Sequence, residues 1–350
     1  MQKFFLVLLI FVPVTIVADL MQAPALTLFI LSALAIVPLA KYIGEATEEL
    51  TIYTGPGIGG LLNATFGNAT ELIIGIFALQ AGLIEVVKAS ITGSILGNLL
   101  LVLGMAIFFG GRKREKQKFN MTVAKASSST LLLAVVALVI PAIFLQTSPG
   151  VSFGIVENLS VAVSVLMIVV YIASLIFSLR THKHLYSQDV AEVEVESKWS
   201  KSKCIFILLI ATIAVAFMSE ILVGAIEPLV VTFGWTELFI GVIFVAIIGN
   251  AAEHVSAITV AMKNKMDLAL QISIGSSTQI ALFVAPALVL SSLFFKNQMN
   301  LIFGNFELVS LIFSVFVVNS IIDDGESNWF EGIQLLAAYI IIAIAFFLHP

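Results

Sequence analysis

Two carboxylates carry the first clue. Glu71 ends the run Gly67-Asn68-Ala69-Thr70-Glu71, and Glu253 ends Gly249-Asn250-Ala251-Ala252-Glu253, so Gly-Asn-Ala-x-Glu occurs twice, 182 residues apart. Phe66 and Leu72-Ile73-Ile74 flank the first acid; Val242-Ile243-Phe244-Val245 and Val255 flank the second. Neither stretch holds a Lys or Arg until Lys263. A carboxylate inside an apolar membrane segment costs about 2.5–3.5 kcal/mol on insertion scales and must face a partner, water or an ion. With no basic neighbour, each Glu is either protonated or bound to something positive. Asn68 and Asn250 stand three residues before the acids, on the same helical face, and add amide oxygens. Gly67, Gly75, Gly241 and Gly249 permit close packing or a local break that frees backbone carbonyls.

All of these donors are hard oxygens, the set that suits Ca²⁺, which takes about six to eight at roughly 2.3–2.6 Å. One cysteine, Cys204, excludes a disulfide framework and a Cys-based metal cluster. Few His residues argue against zinc or copper. His254, next to Glu253, lies about 100° round the helix from the acid and reads as a packing or proton-relay residue. The same offset of 182 carries Gly93-Ser94 onto Gly275-Ser276, one span further on in each half. Asn98 and Gln279 follow about one turn later. Ser94, Ser276 and Gln279 line a polar cavity in this reading; small-residue packing with interhelical hydrogen bonds is the competing use. Glu45, Glu48, Glu220 and Glu227 fall near helix ends, in solvated or ion-path positions, and Glu307 near the start of its helix is interfacial or structural.

The elements that must position these groups follow from composition. The chain has 350 residues, 60% hydrophobic and only 11% charged, with a mean hydropathy of +1.10. Too little charge remains to cover a soluble surface, which excludes a soluble enzyme, a nucleic-acid binder and a disordered chain. Eleven apolar stretches, near 4–22, 25–45, 57–80, 84–109, 124–145, 154–179, 204–231, 236–262, 267–295, 299–320 and 330–348, are each long enough for a spanning helix of about 20 residues. Barrel-type alternation is absent, so the expected fold is an all-α polytopic membrane protein. Fifteen of the 17 Lys and Arg fall on one side of this layout, which makes that side cytoplasmic, with the N-terminus cytoplasmic and the C-terminus extracytoplasmic. Asp323, Asp324, Glu326 and Glu331 dissent by lying on the basic side. Residues 1–20 also admit a signal-peptide reading, weakened by Ile16 where a small residue is usual.

Five crossings separate the helix of Glu71 from that of Glu253, and an odd number inverts the second copy. Inverted repeats are an architecture of secondary transporters, with sites near the midplane at the repeat junction. The expected organisation is an extra N-terminal helix (1–23), a five-helix repeat (24–180), a cytoplasmic loop (181–203) and an inverted five-helix repeat (204–350). Within the loop, Asp189, Glu192, Glu194 and Glu196 form an acidic run that reads either as a solvated linker or as one acidic helical face.

At these residues the chain resembles the calcium/proton exchangers, the cation/proton branch of the calcium:cation antiporter superfamily. The resemblance rests on the two Gly-Asn-Ala-x-Glu repeats and on Ile274-Gly-Ser-Ser-Thr-Gln-Ile-Ala-Leu-Phe-Val-Ala-Pro286, with Asp324-Gly-Glu-Ser-Asn-Trp-Phe-Glu-Gly332 as a further similar stretch. It implies a Ca²⁺/H⁺ antiporter of eleven helices with a mobile gating bundle, not an enzyme. Glu71 and Glu253 would be shared Ca²⁺ and H⁺ acceptors, with Asn68, Asn250, Ser94, Ser276 and Gln279 nearby. The acidic run at 189–196 would be a regulatory Ca²⁺ segment. Ca²⁺ is then substrate and H⁺ coupling ion, with no cofactor; the bilayer is the partner, and a homo-oligomer stays open. Compact termini point to a bacterial plasma membrane. A sodium/calcium or manganese/proton exchanger is the runner-up, and a cation channel stands behind both.

Overall fold

Long runs of Leu, Ile, Val, Ala and Phe fold as helices because a segment in hydrocarbon must satisfy every backbone amide internally. The computed structural model describes residues 2–182 and 197–349. Its helices are α1 (Phe4–Leu20), α2 (Ala25–Phe66), α3 (Ala69–Gln80), α4 (Ile84–Gly111), α5 (Met121–Thr147), α6 (Phe153–Thr181), α7 (Lys201–Phe233), α8 (Glu237–Gly249), α9 (Ala251–Met262), α10 (Met266–Ser292), α11 (Asn305–Ile321) and α12 (Trp329–Leu348). Seven helices are long and apolar enough to cross a bilayer, and α8 with α9 forms an eighth span bent by 60°. α1, α3 and α11 are shorter apolar helices.

Besides 236–262, which is the bent pair α8–α9, two expected spans take a different form. The stretch 25–45 does not end there: α2 continues through Glu45, Glu48 and Glu49 to a kink at Gly55, whose φ of 76° and ψ of 171° no helix accommodates. The stretch 57–80 is not one continuous helix. It breaks at Gly67-Asn68, and the chain restarts at Ala69. Hydropathy counts apolar residues and is blind to such breaks, because Gly and Asn change the average little while freeing the backbone to turn.

α4 and α10 occupy the centre, 83% and 67% buried over their apolar stretches, against 22% for α6 and α12. Their boundaries answer to one another: Ile84 and Met266 are 182 apart, and both helices contain a π-helical turn, ending at Val102 and Val284. α3 and α9 also begin and end 182 residues apart. α2 packs along α7, and α1 lies against α2.

One short antiparallel ladder interrupts the all-α pattern: β1 (Gln117–Lys118) pairs with β2 (Glu326–Ser327). It joins the basic loop after α4 to the acidic loop before α12. Lys116 pairs with Glu326 at 2.8 Å and Lys125 with Asp323 at 2.9 Å. Two of the four acids that dissented from the charge asymmetry, Asp323 and Glu326, are therefore partners of basic residues on their own side. The Glu326 carboxylate beside Lys116 holds its ammonium above the ordinary lysine range.

Candidate ion-binding site

Each Gly-Asn-Ala-x-Glu motif marks a helix break. Asn68 and Asn250 occupy the cap positions of α3 and α9, yet neither side chain caps its own helix. Both reach across to the other half of the chain. The amide of Asn68 donates to Gln279 Oε1 at 2.7 Å, while that of Asn250 donates to Ser94 Oγ at 2.8 Å and to the Ala246 carbonyl at 2.9 Å. Asn98 then donates to Asn250 Oδ1 at 3.0 Å. The capping groups thus brace the opposite half, and each restarted helix presents its N-terminus, with partial positive charge, to the acid in its first turn.

Those acids are Glu71 and Glu253, each in the first turn of its half-helix. Both carboxylate oxygens of Glu71 are buried without a hydrogen-bond partner on another residue. In a native interior almost every buried polar atom is paired, so two orphaned oxygens mark a place for a proton or a cation. Glu71 abuts the other motif: a Cβ on Gly249 would stand 3.2 Å from its Cγ and 3.3 Å from its Oε1. Glu253 lies within electrostatic reach of Glu71, and Glu48 within reach of Glu253.

A cavity of about 860 Å³ leads to this centre, its walls including Asn63, Gly67, Glu253, Gly275, Ser276 and Gln279. Lys41, Glu48, Lys198 and Lys263 stand at its mouth, so it opens at the basic end of the molecule. Elsewhere at this centre the helices pack tightly. There α4 crosses α8 so closely that a Cβ on Gly93 would overlap the Val242 carbonyl, and one on Gly241 would lie 2.7 Å from the Val86 carbonyl. The positions 182 residues away behave differently: Gly275 has open space around it, and the nearest neighbour of a Cβ on Gly59 would be Thr51, 2.6 Å away across the Gly55 kink. The same pair of glycines is packed tight in one half and apart in the other.

The sequence-chosen residues therefore gather in part. Glu71, Glu253, Asn68, Asn250, Ser94 and Gln279 form one connected region with Gly67 and Gly249, and Ser276 joins through the cavity wall. Asn250 spends its amide on Ser94 and Ala246, and its oxygen receives Asn98, so in this conformation it acts first as a brace. His254 is buried beside Glu253. Asp189, Glu192, Glu194 and Glu196 lie outside the described residues. Asn98 enters as a member of the network with more weight than its sequence context gave it, and the Gly59–Gly241 pair was missed. The offset of 182 would have found that pair. Among the described residues no three His, Cys, Asp or Glu side chains cluster.

The family model "Sodium/calcium exchanger protein" matches residues 24–180 and 203–348. The chain is 50% identical to a Ca(2+)/H(+) antiporter of Synechocystis, covering 100% of this chain and 98% of that protein. It is also 50% identical to the Ca(2+)/H(+) antiporter ChaA of Bacillus subtilis, covering 99% of both. Among solved structures it superposes on native YfkE with a TM-score of 0.86 at 47% identity, over 98% of this chain and 99% of that one. A more distant H+/Ca2+ exchanger, CAX, shares the fold with a TM-score of 0.75 at 16% identity, over 99% of this chain and 92% of that one. In sequence over nearly its whole length and in fold, the chain belongs to the sodium/calcium exchanger protein family and stands there with the relatives named Ca(2+)/H(+) antiporters.

Proposed function

We propose that the chain is a secondary antiporter that exchanges Ca²⁺ for H⁺ by alternating access, with Glu71 and Glu253 as the shared acceptors. The observation that carries this reading is the pair of acids at two facing helix breaks, one with both oxygens unpartnered, the other on the wall of a wide cavity. The relatives named Ca(2+)/H(+) antiporters, 50% identical along the chain, agree with it.

Two ionised carboxylates in a low-dielectric interior are strongly disfavoured unless neutralised. One Ca²⁺ or two protons supply that neutralisation, so either ion displaces the other. The empty, doubly charged site is the state least able to cross, and this keeps exchange coupled. The hydroxyls of Ser94 and Ser276, the amides of Asn68, Asn250 and Gln279 and the carbonyls at the two breaks supply the remaining oxygens of the Ca²⁺ shell.

The chain comprises eleven spans: an extra N-terminal helix (1–23) and two inverted five-helix repeats (24–180 and 204–350) joined by the loop 181–203. In this arrangement the basic end faces the cytoplasm of a bacterial cell and the C-terminus faces out. The conformation is then open inward, with Gly275 exposed to the cavity and the Gly93–Val242 crossing closing the outer side. The acidic run Asp189, Glu192, Glu194 and Glu196 belongs to the cytoplasmic loop as a candidate regulatory segment.

The test is Ca²⁺ uptake by reconstituted protein under an imposed pH difference. Glu71→Gln and Glu253→Gln, which keep shape and remove charge, should each abolish proton-driven uptake. Flux retained by both variants would remove these residues from the mechanism, and uptake driven by a Na⁺ gradient instead would replace the coupling ion.

A further inference from the structure

A second cluster of buried charge lies behind the site, on the far face of α4. Glu307 in the first turn of α11 is 3% exposed and Lys88 on α4 is 6% exposed. Each Glu307 oxygen has a partner: Oε2 accepts from the Gly304 backbone N–H at 2.8 Å, and Oε1 accepts from the Thr92 hydroxyl at 2.9 Å. Lys88 stands one turn before Thr92, with its ammonium 3.5 Å from Glu85 Oε1.

The Thr92 bond is unusual for this chain. Thr47, Thr212 and Thr278 each give their hydroxyl proton to the carbonyl four residues back in their own helix. Thr92 sends its proton to another helix. The faces of α4 explain what that does. Residues three and four apart share a face: Lys88 and Thr92 look toward α11, Ala89 and Gly93 press on α8, and Ser94 and Asn98 hold Asn250. Thr92 is thus gripped from one side while Ser94 and Asn98 work on nearly the opposite one. α10, the other helix lining the site, is held comparably: Asp267 in its first turn accepts from the Asn120 N–H at 2.6 Å, at the start of α5.

We infer that Glu307 is a positioning residue for ion binding: by holding Thr92 it sets the rotation of α4 at which Ser94 and Asn98 meet Asn250. The inference rests on the ion site proposed above. Loss of the bond lets Thr92 turn back to its own helix and leaves α4 free to rotate away from α11.

The experiment measures initial Ca²⁺ uptake against Ca²⁺ concentration in proteoliposomes under a fixed pH difference, per folded transporter. Glu307→Ala should raise the KM for Ca²⁺ about tenfold, the low end of what outer-shell changes do to metal affinity, with a smaller change in maximal rate. Thr92→Val removes the same bond without touching the buried charge and should give the same KM, which keeps the test available if Glu307→Ala folds poorly. Glu307→Gln retains an acceptor oxygen and should recover most of the native KM. Native KM in Thr92→Val, or a Glu307→Gln variant as impaired as the alanine, would overturn the inference. Glu71→Gln run in parallel separates the two readings: its loss of uptake beside native KM in Thr92→Val defeats the positioning role alone, whereas normal uptake by Glu71→Gln defeats the site itself.

Discussion

Gly93→Ala tests whether the α4–α8 crossing is the closed outer gate. A methyl group there overlaps the Val242 carbonyl, a backbone atom that cannot rotate aside. Overpacking of this kind costs about 1–3 kcal/mol. If a second conformation parts α4 from α8 and relieves the overlap, the equilibrium moves toward it by about 5–150-fold. The reporter belongs on the closed side, where signal rises in proportion to the minor population. Ser90 is suitable, since its backbone nitrogen would lie 3.2 Å from a Cβ on Gly241. With Cys204 changed to Ala and Ser90→Cys introduced, labelling by a membrane-impermeant maleimide from the side opposite the basic end should accelerate by that factor in Gly93→Ala. Gly275→Ala is the paired control. Its methyl fits the open space of the present conformation and obstructs only the opposite one, so labelling at position 90 should stay level or fall. Cys204, fully buried, reports unfolding when it is kept as the sole cysteine, and should stay unreactive in Gly93→Ala. Equal labelling in the presence and absence of the Gly93 methyl, or acceleration by Gly275→Ala as well, would refute the assignment of opposite gates to the two glycines.

Two further substitutions probe the centre and its scaffold. Gly249→Ala places a methyl 3.2 Å from Glu71 Cγ, tighter than ordinary contact, so the carboxylate must shift; Ca²⁺ KM should rise about tenfold, and Sr²⁺, being larger, should lose more in a competition assay. Arg114 donates to the carbonyls of Gly110 and Met262, tying the ends of α4 and α9 together. Arg114→Ala should therefore lower stability by about 1 kcal/mol, seen as a reduced melting temperature in detergent, while leaving Ca²⁺ KM unchanged; a KM change would place the loop in the transport cycle.

How much of this was legible in the sequence depends on what each residue's signal measures. Glu71 and Glu253 stand out because an acid in an apolar run is costly, and the repeated Gly-Asn before each marks the break after which α3 and α9 begin. The eleven apolar stretches all contain helix, since hydrocarbon leaves the backbone no alternative. Hydropathy could not show that α2 runs on through Glu45 and Glu48 to Gly55, because the acids there line the wide cavity and lower the average that marks a span. Nor could it show that Asn68 and Asn250 would turn from their own helices to the opposite half, a choice made by whichever partner tertiary packing brings near. The partners of Asn98 and Thr92 were hidden for the same reason: a polar residue in a buried helix gives one composition signal whether it bonds its own backbone, as Thr278 does, or another helix, as Thr92 does.

The repeat makes its strongest argument where it fails. Identical offsets place glycines at 59 and 241 and at 93 and 275, so the sequence offers both ends of the molecule the same tight crossing. Only one end has made it. A single rigid design would have no use for a side-chain-free Gly275 facing open space, since Gly in a helix interior costs about 1 kcal/mol relative to Ala. Gly275 is worth that cost if α10 must at some other moment approach the helix carrying Gly59 as closely as α4 now approaches α8. On the proposed alternating access, the asymmetry of this conformation, set on a symmetric sequence, describes its counterpart: the crossing at Gly93 and Gly241 would open, one at Gly275 and Gly59 would close, and Glu71 and Glu253 would be reached from the other side.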